Sequence, residues 1–171
     1  QHTPLLMSKI IDRGAKVAPN EEIVTATENG VRRQTYKETR DRAHQLAHAL
    51  SEAGITVGDR VGTFMWNGSR HLEAYQACAG MGAVLHTLNI RLSEKDLEYI
   101  INHAEDQIII VDADILPLLE KLEGKMPTVR QVVIATEEGF EGWSTQLPNA
   151  VDYEDFIKDK PTHYEWPDID A

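Results

Sequence analysis

Apolar positions along the first 135 residues alternate between a period of two and a period near 3.6, which predicts strands alternating with helices. Glu22 to Glu28 and Val31 to Gln34 read as short strands around Asn29-Gly30, a dipeptide that supplies the positive φ of a tight hairpin. Thr35 opens a helix as a capping-box residue, with Glu38 three positions on. Ala43, Leu46, Ala47 and Leu50 follow at helical spacing until Gly54 stops it. Val61 to Trp66 has the apolar continuity of a buried strand, and a break at Asn67-Gly68-Ser69 starts a second helix that runs to Gly80-Met81-Gly82. Ala83 to Leu88 is the next strand. Ser93 caps a third helix, with Asp96 at the box position and Leu92 opposite Leu97 as a hydrophobic staple; its core face is Leu97, Ile100, Ile101 and Ala104. Gln107 to Val111, Leu116 to Leu122 and Gln131 to Ala135 read as strand, helix and strand.

Strands separated by helices imply βαβ crossovers and a mostly parallel sheet covered on both faces. The expected fold is therefore α/β, a three-layer sandwich with an N-terminal β-hairpin. Ligands of such sheets bind beyond the carboxyl ends of the strands. Those ends are Trp66-Asn67-Gly68, Leu88-Asn89-Ile90-Arg91, Asp112-Ala113-Asp114 and Thr136-Glu137.

Charge divides the chain. The 171 residues carry 17 Lys and Arg against 28 Asp and Glu, a formal charge of −11. No basic run exceeds Arg32-Arg33, which excludes a nucleic-acid binder built on phosphate neutralisation, and an anionic membrane surface would repel the chain. Residues 136–171 hold 10 acids and 2 bases, a net of −8, so the acidity belongs to the tail. Three stretches result: 1–21 as an N-terminal helix or arm, 22–135 as the α/β body, and 136–171 as an acidic, irregular, solvated tail with one helical piece at Tyr153 to Ile157. With 42% hydrophobic residues the chain can bury a sizeable core. Its one cysteine, Cys78, excludes an internal disulfide framework and a multi-cysteine zinc site and fits a cytoplasmic or otherwise intracellular setting. No run approaches a membrane span, and Gln1-His2-Thr3-Pro4 does not begin a secretory signal.

Several strings suggest chemistry and each has a plainer reading. Gly80-Met81-Gly82-Ala83 has the glycines of a phosphate loop but ends a helix instead of opening one, so close packing and a helix-to-strand turn account for it. His44 and His48 have chelating spacing but no third ligand, and read as a solvated or half-buried helix surface. Ile108 to Val111 followed by Asp112-Ala113-Asp114 has the opening of haloacid-dehalogenase-like phosphatases, in which the first Asp attacks phosphorus. Against that stand Leu116 in place of Thr or Val and the mere 57 residues after Asp114; the alternative is an acidic strand end that caps the next helix. A receiver domain fails because Asp59 precedes its strand. His86, in a strand, reads either as a core histidine bonded to a backbone carbonyl or as a cleft residue; His71 and Trp66 are open in the same way.

Beyond this point a resemblance adds to the residues. Gln34-Thr35-Tyr36-Lys37-Glu38, Leu46-Ala47-His48-Ala49-Leu50 and Gly54 to Val61 resemble the N-terminal part of the AMP-forming acyl-CoA ligases of the adenylate-forming superfamily. Gly62 to Asn67, Arg70 to Tyr75, Gly82 to Leu92 and Asn102 to Asp106 resemble its medium- and long-chain fatty-acid branch, with Ile90 where that branch has proline. The resemblance implies a parent enzyme that uses ATP, Mg2+ and coenzyme A to turn a medium- or long-chain carboxylic acid into acyl-AMP and then acyl-CoA. It also implies that this chain is the front portion of a large N-terminal domain. Glu165 to Ala171 resembles the approach to the phosphate loop, and no catalytic motif or metal ligand of the family is present. The expectation is a segment inactive by itself, binding none of these cofactors alone. Trp66, Asn67, His86, Asn89 and Arg91, at strand ends or in the most branch-like strings, are the candidates for positions near the substrate cleft. The second reading is a binding or assembly module, a homodimer interface or a partner of the remaining ligase chain, using the apolar face of Leu5, Leu6, Met7, Ile10 and Ile11.

Overall fold

Local chemistry closes most elements where the sequence expects it. In the computed structural model, which describes residues 6–137, 140 and 142–169, helix α1 (Met7–Val17) leads into the antiparallel ribbon of β1 (Glu22–Thr27) and β2 (Gly30–Thr35). Thr27 pairs with Gly30 at the turn, where Gly30 takes φ +133°. Helix α2 (Tyr36–Glu52) starts with a complete capping box: the Glu38 N–H donates to Thr35 Oγ1 at 3.1 Å, and the Thr35 N–H to the Glu38 carboxylate at 2.7 Å. Its end is a Schellman turn. Gly54, at φ +84°, donates to the Ser51 carbonyl and Ile55 to the Leu50 carbonyl, while Ile55 and Leu50 are both buried.

Strand β3 (Arg60–Phe64), helix α3 (Ser69–Met81) and strand β4 (Val84–Thr87) follow in sequence; Gly82 terminates α3 at φ +81°. Helix α4 (Glu94–Ala104) is capped by Ser93, whose Oγ accepts the Asp96 N–H at 3.2 Å. The expected staple is absent in effect: Leu97 is buried but Leu92 is exposed. After β5 (Ile108–Asp112) the chain makes a 3-10 turn at Ala113–Ile115 and then α5 (Leu116–Glu120), shorter than the periodicity suggests. Strand β6 (Gln131–Ala135) has the expected limits. The tail supplies a strand that was not anticipated, β7 (Val151–Asp152), before the anticipated helix α6 (Tyr153–Ile157).

Five strands form one fully parallel sheet in the order β4-β3-β5-β6-β7. Side chains of β5 and β6 are buried on both faces, as parallel strands require. One face, carrying Phe64, Ile109, Val111, Val132 and Ile134, packs with Leu97 and Ile101 of α4 and Leu116 and Leu119 of α5 in a single apolar core.

Two compact units are present: Gln1–Gly58 with Asn67–Ala83 and Ile157–Ala171, and Asp59–Trp66 with Val84–Phe156. The second holds the parallel sheet and its core. The first joins α1, α2, α3 and the hairpin to the end of the tail. That tail departs from its expected character. Residues 160–169 contain no helix or strand, but Tyr164, Trp166 and Ile169 are half-buried. A Cβ on Gly80 would stand 2.6 Å from the Trp166 ring, and one on Gly82 2.8 Å from Ile169, so the two glycines admit apolar side chains, not phosphate. Of the sequence features singled out above, Gln1 to Leu5, Asp170 and Ala171 lie outside the described residues.

Candidate functional site

The carboxyl edge of the parallel sheet presents one large apolar side chain in a fixed pose. Trp66, just past β3, is 51% exposed. Its backbone N–H donates to Asp112 Oδ2 at 2.7 Å and its indole Nε1–H to Asp114 Oδ2 at 2.8 Å. Strands β3 and β5 are hydrogen-bonded neighbours, so the two acids after β5 stand beside the residues after β3. The expected helix cap is thereby corrected: no side-chain cap bond forms at Asp112, whose carboxylate turns to the Trp66 backbone instead.

Asn89 and Arg91 share the turn after β4. Asn89 Oδ1 accepts the Arg91 N–H at 3.0 Å and its carbonyl accepts the Leu92 N–H at 3.1 Å, an Asx-type turn that leaves the Arg91 side chain exposed. Further along the same edge Thr136 Oγ1 donates to Asp152 Oδ2 at 3.0 Å, and Asp152 Oδ1 accepts the Glu154 N–H. Asn67 is exposed and lies in the bend that leads into α3.

His86 sits inside β4, set back from the edge, and its partner is a carboxylate where a backbone carbonyl was one expectation. Nδ1 lies 2.8 Å and 3.0 Å from the two oxygens of Asp106, whose side chain is fully buried. A carboxylate only accepts, so Nδ1 carries the proton in this pair. Gly62, opposite His86 in the sheet, makes room: a Cβ there would meet Asp106 Oδ2 at 3.2 Å. Burial raises the Asp106 carboxyl above its ordinary value, against the bond and charge of His86 and the charge of Arg60.

Of the two histidines of α2, His44 differs from its expected setting: it is buried and bonded to Asp12. His48 is half-buried, as that reading allows, and its Nε2 lies 2.8 Å from the His163 carbonyl. Burial pushes the Cys78 thiol up to about 12, which removes it as a nucleophile. Among the described residues no group of three or more His, Cys, Asp or Glu is placed to hold a metal ion, and no helix is long and apolar enough to cross a membrane.

A five-stranded parallel sheet with helices between its strands defines an open α/β protein. Residues 11–168 match the AMP-binding enzyme family, and the chain belongs to that family. It is 37% identical over 167 residues to a medium-chain-fatty-acid–CoA ligase of Ectopseudomonas oleovorans, a match covering 97% of this chain and 30% of the relative. It is 46% identical over 134 residues to a long-chain-fatty-acid–CoA ligase of Thermus thermophilus, covering 78% of this chain and 25% of that one. The chain thus spans about 30% of the first of these curated relatives. Its fold is that of an anthranilate CoA ligase solved with anthranoyl-AMP, at a TM-score of 0.79 and 23% identity over 96% of this chain and 30% of the other. Membership in this family overturns the phosphatase alternative, and Asp112 and Asp114 are the acceptors that fix Trp66.

Sequence reasoning named Trp66 and His86 but missed what holds them. Asp106 lies 20 residues from His86, and Asp112 lies 46 from Trp66. A legible signal was Gly62, a side-chain-free position in an otherwise bulky strand. Asp106→Ala leaves His86 without its buried partner and is expected to cost about 2–4 kcal/mol, whereas Asp114→Ala, at an exposed pair, costs under about 1 kcal/mol. Urea denaturation of the two variants checks the order.

Proposed function

We propose that this chain is the front portion of the large N-terminal domain of an AMP-forming medium- or long-chain fatty-acid–CoA ligase. The observation that carries the reading is identity of 37% sustained across 97% of the chain to a medium-chain ligase. In the full reaction the acid's carboxylate attacks the α-phosphorus of ATP and pyrophosphate leaves; the coenzyme A thiol then attacks the acyl carbon and AMP leaves. Bound Mg2+ would supply charge neutralisation on the phosphates.

The residues described do not fit a site for the triphosphate or its metal. The space at Gly80 and Gly82 is filled by Trp166 and Ile169, and the titratable pairs of His86 with Asp106 and His44 with Asp12 bond each other. No adenylation step is therefore assigned to this chain. Trp66, Asn67, His86, Asn89 and Arg91 are the candidate positions near the substrate cleft. Trp66 has the best support, because two carboxylates fix its position and ring, so little ordering remains when an apolar group lands on it. A buried, lone cysteine suits a cytoplasmic or other intracellular setting for this chemistry.

A second reading, compatible with the first, is that α1 forms an assembly surface, for a homodimer or for the remaining ligase chain. Met7 is 43% exposed and Ile10 53%, on the helix face read as apolar from the sequence.

Fatty-acid-dependent exchange of pyrophosphate into ATP should be absent from the 171-residue chain and present in a ligase that contains it; turnover by the chain alone overturns its assignment as a non-catalytic segment. In that ligase Trp66→Ala should raise KM for the acid about tenfold, worth ~1.4 kcal/mol, with a smaller change in kcat, and Trp66→Phe should retain most of the affinity. Native mass measurement tests assembly: a dimer that Ile10→Asp dissociates supports the α1 surface, and a monomer at all concentrations removes the homodimer.

A further inference from the structure

The end of the tail is fastened to the N-terminal helices through one buried imidazole. The His44 side chain is 1% exposed, and both ring nitrogens are engaged. Nδ1 accepts the Tyr164 backbone N–H at 2.8 Å, and Nε2 lies 2.9 Å from Asp12 Oδ1. An amide N–H only donates, so Nδ1 is unprotonated and Nε2 donates its hydrogen to Asp12. The neutral ring with its proton on Nε2 is the one form that makes both bonds. A proton added at Nδ1 sets two donors against each other across 2.8 Å.

Other fastenings converge on the same strip. The Trp166 indole Nε1–H donates to Asp12 Oδ2 at 3.0 Å, and the ring tilts over His44 with centroids 4.5 Å apart. Gln45 Nε2 donates to the Lys160 carbonyl and His48 Nε2 to the His163 carbonyl, while Lys160 pairs with Glu52. Trp166 occupies the hollow at Gly80.

We infer that residues 158–169 form a strap held on α1, α2 and α3 by neutral His44 and released when that imidazole takes up a second proton. The groups facing it are Asp12 on α1, Arg40 and His48 on α2, and His163, itself bonded to Glu165, on the strap. Burial lowers the His44 pKa; the bond and charge of Asp12 raise it, and Arg40 and His163 lower it, leaving it below 6.5. Burial would raise the Asp12 carboxyl, but the bonds from His44, Trp166 and Arg40 and the His44 charge hold it below 3.8. With both values depressed by folding, the strap's stabilisation is present above the unfolded-state values and lost as pH falls through the folded ones. Acid therefore opens the strap, and His44 is the first of the two to respond.

Nitrogen-15 NMR of the 171-residue chain tests this. At neutral pH the His44 ring should show a protonated Nε2 and a bare Nδ1. On titration below pH 6.5, the Tyr164 amide should lose exchange protection, corrected for the intrinsic rate, by up to about tenfold per pH unit, levelling off once the folded His44 midpoint is passed. The Trp166 indole signal should move with the same midpoint. Arg40→Met removes a cation facing His44 and should shift that midpoint upward; His44→Gln should abolish it. A protonated Nδ1 at neutral pH, strap signals that ignore the His44 titration, or an Arg40→Met midpoint that stays or falls each overturn the proposal, the last two even if His44→Gln fails to fold.

Discussion

Strand β5 meets water only at its carboxyl end, Asp112. Ile108, Ile109, Ile110 and Val111 are all fully buried, and the strand pairs in parallel with β3 on one side and β6 on the other. Parallel neighbours cannot be joined by tight turns, so each connection has to cross over, and both faces have to be shielded from solvent. Only strand ends are left for chemistry at the surface. That is why Trp66, Asn89, Arg91, Asp112 and Asp114 all fall at the carboxyl edge.

Such burial makes each enclosed charge a problem with a local answer. The fully buried carboxylate of Glu73 accepts from Gln34 and Arg42, and that of Asp106 from His86. A carboxylate stripped of water is tolerated only where donors replace the lost hydration. The backbone adapts to the same need, since the absent side chain of Gly62 is the space into which Asp106 fits. The edge works under a looser rule: Asp112, Asp114 and Asp152 are partly solvated, and their bonds orient neighbours more than they stabilise the fold.

What could be read in advance was what depends on near neighbours in the chain. The capping box at Thr35 and Glu38, the stop at Gly54 and the limits of β6 are set by groups within a few residues of one another and appear where the pattern put them, while the hairpin turn falls one residue earlier, at Glu28-Asn29, with Gly30 already in β2. The strap was misread as solvated because acidic, proline-bearing composition describes its exposed positions. Its inward set, Tyr164, Trp166 and Ile169, is too sparse to register as a period. In the candidate site the aromatic and the histidine were legible as residue types. Their partners were not, because Asp106, Asp112 and Asp114 reach them through strand order, which no local spacing encodes.

The bond from Trp166 to Asp12 spans 154 residues of sequence. A ribosome delivers the chain from its amino end, so α1, α2 and α3 emerge long before the residues that fasten them, and the segments forming the parallel sheet are made in the interval. Until then His44 lacks its Tyr164 partner and Gly80 its Trp166 neighbour. Of these two units, the one that begins earlier along the chain is thus the one completed later.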